Sequence, residues 1–238
     1  MTISKQNNIS DKPHHQAVII RAAGLAFLII IVIGVLNSVF IDGRLISNED
    51  INLTINNIAA NELLFRFGSV CILILYVLVM LLAVLLYFIL NSVNKNIALV
   101  AMVLRLGEAL LGLITVLLNF IILGLINNQS NLQSLENGYL NLLIKTLFDA
   151  RIAGLYIVLL LIGIGGTLFF YLFYKAYYIP KILSVWGIFT YLSMLVLSLA
   201  GFLLPDLPGM IEIILYGAGT LFELTIGFWL LLKGIKIK

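Results

Sequence analysis

The chain has 238 residues, 62% of them hydrophobic and only 11% charged, with a formal net charge of +3 and a mean hydropathy of +1.15. Soluble domains run at about 45–50% apolar and about 25% charged residues, so an ordinary soluble globular domain is excluded. Long apolar runs divided by short polar breaks point instead to an all-α polytopic membrane protein, since about 20 residues cross about 30 Å of hydrocarbon as a helix.

Residues 1–21 read as a polar cytoplasmic tail, 22–234 as a six-helix transmembrane domain and 235–238 as a basic end. Candidate spans are 22–41, 67–90, 97–126, 152–174, 182–204 and 210–232. The first is too long for a signal-peptide core and lacks a small-x-small cleavage site, so it reads as a retained helix. Between the first and second spans, ISNEDINLTINNIAANELLFR places Ile51, Ile55, Ile58 and Leu63 at helical spacing, with Ser47 or Asn48 as N-cap. Between the third and fourth, Leu140, Leu143, Ile144 and Leu147 share a face. Each predicts a short helix lying on the membrane surface or capping the bundle. Asn52-Leu53-Thr54 also matches the glycosylation acceptor pattern. The single cysteine, Cys71, lies in the second span and gives no intramolecular disulfide.

The breaks alternate in charge. The two ends and the second and fourth breaks carry Lys5, Lys12, Arg21, Lys95, Lys175, Lys181, Lys233, Lys236 and Lys238, against Asp11. The opposite side carries Arg44, Arg66, Lys145 and Arg151 against Asp42, Glu49, Asp50, Glu62, Glu136, Asp149, Asp206 and Glu212. Lys and Arg flank spans on the cytoplasmic side, which predicts an N-in/C-in topology. Tyr87, Tyr174, Tyr177, Tyr178 and Trp229 fall near that inner boundary, where an interfacial aromatic belt belongs. The positive charge thus marks topology, and no basic patch with interleaved aromatics suggests nucleic acid.

The third span holds Arg105, Glu108, Gly112, Thr115 and Asn119 at alternating spacings of three and four, one stripe of a helix otherwise made of Leu, Ile, Val and Phe. Similar stripes run through Ser184, Gly187, Tyr191, Met194, Ser198 and Gly201, through Ser69, Tyr76, Met80 and Ala83, and through Tyr216, Gly219, Glu223 and Gly227. Most of these are packing seams, because small residues allow close approach and hydroxyls bond across helices. Counting about 1.5 Å per residue from the inner ends sets Arg105, Glu108 and Glu223 at similar depth near the midplane, about 12–16 Å in. A charged side chain there costs about 2.5–3.5 kcal/mol on insertion scales, so the folded protein must pair the charges or admit water. Arg105 can pair with Glu108 along its own helix, and Glu223 must then bond Arg105, hold a proton or meet water. Contact between the third and sixth helices is expected on this ground. Arg105, Glu108, Glu223, Asn119 and Tyr191 are therefore candidates for ligand binding or proton exchange. Glu62, Arg66, Asp149 and Arg151 are candidates for ion pairing at the outer boundary, with Arg66 reaching Asp149 or Glu212 as an option.

Several chemistries are excluded. The only histidines, His14 and His15, sit in the polar tail, which removes intramembrane haem ligation, a HExxH zinc site and a Ser-His pair. No aspartate lies within a span, so paired-aspartate proteolysis is excluded, and no phosphate-binding glycine loop occurs in a strand–helix context. No catalytic residue, metal site or cofactor is expected.

RAAGLAFLIIIVIG, ELLFR, LRLGEA, YIPKILSVWG and FELTIGFWLLLKG, in this order and spacing, resemble a widespread bacterial family of six-helix integral membrane proteins catalogued only as a domain of unknown function. The resemblance runs from about Arg21 to Gly234. It implies a bacterial inner-membrane protein and no particular activity. In that family the turn before the proline more often reads Ser-Gly-Tyr-Ile-Pro, where this chain has Ala176-Tyr177-Tyr178-Ile179-Pro180. The leading expectation is binding or transport of a small anion, lipid head group or proton at the Arg105–Glu108–Glu223 cluster. The alternatives are a structural or partner-binding protein whose charges fix helix packing, and a lipid-modifying enzyme using the two glutamates. The expected partners are the lipid bilayer, a lipid or small-anion ligand and, as an option, a second copy in a homo-oligomer.

Overall fold

The structure, a computed structural model, describes residues 7–47, 50–128, 137–204 and 209–236. Lys5, Asn48, Glu49, Glu136, Asp206 and Lys238 lie outside these residues, as do the side chains of Asp11, Lys12, His14, His15 and Glu212. The elements are α1 (Asn7–Asn37), a π-helical turn (Ser38–Asp42), α2 (Gly43–Leu45), α3 (Ile51–Ala60), α4 (Glu62–Leu90), α5 (Lys95–Asn127), α6 (Asn137–Ala176), α7 (Lys181–Leu203) and α8 (Gly209–Leu232). Six helices are long and apolar enough to cross a membrane, and no strand occurs among the described residues. The six-span reading of the sequence is borne out.

Each span packs on the next in chain order, α1 on α4, α4 on α5, α5 on α6, α6 on α7 and α7 on α8, and α8 returns to α1 to close a ring. Backbone approach makes the closure possible. A Cβ added to Gly24 would lie 2.6 Å from the Leu231 nitrogen and 2.7 Å from the Gly227 carbonyl oxygen, so only glycine fits where α1 crosses α8. Leu25, Val32, Val77, Leu81, Val103, Leu110, Phe189, Val196 and Phe228 face outward and exposed, an apolar belt suited to lipid. Inside, Phe27, Leu86, Leu90, Phe169, Phe170, Phe173, Phe222 and Leu230 fill the half of the ring nearer the termini.

At the other end, Ile41, Leu45, Ile55, Ile58, Phe65, Leu123, Leu140 and Ile144 form a second core beneath α3, which caps the bundle. The N-cap of α3 is Asp50, and not Ser47 or Asn48 as the sequence suggested: its carboxylate accepts from the Asn52 and Leu53 nitrogens at 2.8 and 3.3 Å. Ser47 supports it instead, its hydroxyl accepting the Asp50 N–H at 3.3 Å. Leu63, grouped by its spacing with Ile51, Ile55 and Ile58, belongs instead to α4 and is 81% exposed. The second surface helix is also corrected. Leu140 and Ile144 are buried as expected, but Leu143 points outward, and the segment continues without a break into the fourth span, giving one helix of 40 residues. Nothing in this stretch stops a helix, because proline is absent and Asp149, Ala150 and Arg151 continue the turn.

Candidate functional site

The polar stripe of α5 faces inward as its spacing predicts. Arg105, Glu108, Gly112 and Asn119 are buried and Thr115 half-buried. Arg105 Nη1 lies 2.7 Å from Glu108 Oε2, and the two residues are only 4% and 3% exposed. The alkyl stem of Arg105 runs over Gly165 of α6, where a Cβ would come 3.1 Å from Arg105 Cγ. The guanidinium therefore sits inside the ring because a neighbouring helix leaves room for its stem.

Tyr191 of α7 donates its hydroxyl proton to Glu223 Oε1 of α8 at 2.7 Å. Its ring is held by stacking on Phe170, by an edge contact with Phe222 and by close packing over Gly166. Arg105 is within electrostatic reach of Glu108, Tyr191, Glu223 and Tyr76, so groups from four spans meet in one interior field. Of the three options open to Glu223, a direct bond to Arg105 is not formed, and its hydrogen bond goes to Tyr191. The ion contact goes to Glu108 alone, because α5 packs on α4 and α6 while α8 packs on α1 and α7. Tyr191 of α7 is thus the partner of Glu223, within the electrostatic reach of Arg105. One carboxyl group, that of Glu108, contacts the guanidinium, and the other, that of Glu223, accepts from Tyr191.

A cavity of about 590 Å³ opens at the α3 end of the ring, between α1, the π turn, α3, α4, α5 and α6. Its polar lining includes Asn37, Ser69, Tyr76, Thr115, Asn119 and Arg151, set among Ile41, Ile72, Phe148 and Leu155. Asn119 donates to Ser69 Oγ at 3.1 Å, and Ser69 donates to the Phe65 carbonyl at 2.9 Å. The carbonyl oxygens of Asn37 and Asn119 have no hydrogen-bond partner, although both residues are 5% exposed. Arg151 Nη2 lies 3.4 Å from Asp42 Oδ2, and its Nη1 has no hydrogen-bond partner. The π turn shapes this wall, since it carries Ile41 and Asp42 and follows directly on Asn37. Tyr76 forms the floor, its ring pressed on Gly112, where a Cβ would lie 2.0 Å from Tyr76 Cζ. Gly112 is one helical turn from Glu108, so Tyr76 separates the cavity from the charged cluster and touches the field of both.

The remaining candidates fall at the rim. Glu62 and Arg66 pair at 2.6 Å as an exposed i, i+4 bridge. Arg66 thus turns to Glu62, and Arg151 turns to Asp42 across helices, not to its neighbour Asp149, which lines the cavity. Asn37 and Asp42 were not singled out from sequence as cavity residues. The signal available was an asparagine placed just before the end of an apolar span, but its significance depends on the π turn.

A closed ring of six apolar helices with polar groups buried inside it defines a multi-pass, membrane-type helical bundle. The chain belongs to the family described as Domain of unknown function (DUF4386), whose model matches residues 22–234. No curated protein and no solved structure matches it.

Proposed function

We propose that this is a multi-pass protein of the bacterial inner membrane, with both termini cytoplasmic, that binds or transports a small ligand through the polar interior of the ring. The ligand occupies the cavity, and the Arg105–Glu108–Tyr191–Glu223 cluster beneath it holds and exchanges a proton. The observation that carries this reading is the placement of Tyr76, which lines the cavity and lies in the electrostatic field of Glu108 and Arg105. Packing around Arg105 and Glu108 leaves no room for a lipid head group there, whereas a proton fits without rearrangement. Intramembrane ionisable groups are costly and mark ion and proton paths, and the extra carboxyl group supplies a place for the proton. The lysine-rich side of the chain supports the orientation.

A second reading, in which the charges only lock helix register, draws on the burial of Arg105 over Gly165. Arg105→Lys and Glu223→Gln separate the two. Folding is followed by tryptophan fluorescence, and proton exchange by the infrared carboxyl band of protein in lipid nanodiscs. A titrating carboxyl band that disappears in folded Glu223→Gln supports the proton site. Variants that lose their fold, from a wild type with no titrating interior carboxyl, establish the lock.

A further inference from the structure

The ligand class can be read from what the cavity offers. At about 590 Å³ it falls within the range of about 300–1,000 Å³ typical of small-molecule pockets, and water alone would fill it with on the order of 20 molecules at about 30 Å³ each. Ile72, Phe148 and Leu155 supply an apolar wall, which water satisfies poorly and an acyl chain satisfies well. The buried oxygens of Asn37 and Asn119 lack donors, so the occupant needs N–H or O–H groups. Arg151 has a guanidinium nitrogen with no acceptor, and its contact with Asp42 is long at 3.4 Å. Lys145 and Asp149 also line the cavity, one turn apart on α6, but both are exposed, with water at hand for their charges. That leaves Arg151 as the group seeking an anion.

Resting on the reading of the cavity as the ligand site, we propose that it takes a single-chain amphiphile with an acidic head group, a carboxylate or phosphate monoester, and an N–H or O–H donor close to that head. The acid bonds Arg151, the donor meets the Asn37 and Asn119 oxygens, and the chain lies along the apolar wall. Such a molecule comes either from membrane lipid as a lysophosphatidate or from a free N-acyl amino acid.

The test uses the full chain in phosphatidylcholine nanodiscs with four probes: N-lauroylglycine, its methyl ester, 1-lauroyl lysophosphatidate and laurylamine. At least one acid is expected to bind saturably, about tenfold or more tighter than the ester, the effect of one charge-assisted hydrogen bond. The tighter of the two acids identifies the source. Arg151→Gln should reduce acid binding to the level of the ester, whereas Asp42→Asn, which removes only the carboxylate partner, should retain it. Equal binding of acid and ester, or an unchanged acid affinity in Arg151→Gln, overturns the acidic class. Thr115→Trp fills the cavity and separates the two levels of the argument. If laurylamine is the tight probe and this variant abolishes its binding, the cavity is a ligand site and the class is wrong. If the variant changes binding of no probe, the cavity reading itself fails. Should Arg151→Gln not fold, a diazirine analogue of N-lauroylglycine must label α4 or α5 in wild type and less in Thr115→Trp; labelling elsewhere overturns the proposal.

Discussion

Replacing Arg105 with methionine removes the only cation in contact with Glu108 among the described residues. The side chains are 5% and 3% exposed and their charged atoms lie 2.7 Å apart, so water cannot stand in for the lost partner. Two unit charges about 4 Å apart attract by about 4 kcal/mol at an effective dielectric of about 20. Desolvation offsets part of that gain in the intact pair, yet a carboxylate left alone in the interior still costs about 3–5 kcal/mol. Methionine keeps the stem that packs over Gly165, so lost packing is small. The expected destabilisation is therefore about 3–5 kcal/mol for Arg105→Met. Adding Glu108→Gln removes the orphaned charge and should recover at least about half of the loss, giving a coupling energy of about 2 kcal/mol or more in a double-mutant cycle. Reversible unfolding by SDS in lipid bicelles measures these differences, with Trp186 as a tertiary reporter because its ring packs edge-on to Phe222 at 5.5 Å. A single variant within about 1 kcal/mol of wild type, or strictly additive effects, would refute the claim that the pair is sealed from water.

Three further outcomes follow from the packing. Gly24→Ala should destabilise the ring by about 1–3 kcal/mol, because the new methyl meets immovable backbone atoms of α8, whereas Gly34→Ala should be neutral or slightly stabilising, its nearest neighbour being Leu75 Cδ1 at 3.5 Å. Equal thermal shifts for the two variants would contradict the closed α1–α8 seam. Gly112→Ala forces the Tyr76 ring aside, with an expected loss of about 1–3 kcal/mol that Tyr76→Ala should largely relieve; additive losses in the same unfolding assay would count against that contact. Tyr177 adopts φ +57° in the α6–α7 turn, the left-handed region that favours glycine. Tyr177→Gly gains about 1–2 kcal/mol of backbone relief and loses about 0.5–1 kcal/mol of contact between Lys181 and the ring, so it should be near neutral, while Tyr177→Val should be clearly less stable than Tyr177→Gly. Indistinguishable melting temperatures for these two would show that the turn does not hold Tyr177 in the left-handed region.

The six spans were legible in the sequence because bilayer thickness imposes a length on each apolar run, and the inward stripe of α5 was legible from its three-four spacing. Depth counting placed Arg105, Glu108 and Glu223 together, but it carried no information about which helices are neighbours around a ring. That is why Glu223 was left with three options, a bond to Arg105, a bound proton or water, and its bond to Tyr191 was not among them. The cavity was less legible still. Ser69, Tyr76 and Thr115 looked like ordinary seam residues, and only the π turn at Ser38–Asp42 and the uninterrupted α6 turn that seam into an open space with unpartnered amides. The N-cap of α3 was misplaced because Ser47 and Asp50 both suit the role, and the choice rests on backbone geometry, with Asp50 at φ −133° and ψ 107°.

The central claim is that the ring interior holds a ligand in the cavity above the charged cluster. Native mass spectrometry of protein released from the membranes in which it was expressed tests this most directly. The account predicts that the wild type retains a small, discrete bound mass and that folded Thr115→Trp loses it. An occupant retained equally by Thr115→Trp, or a wild type that is consistently bare while its fold is intact, would contradict it.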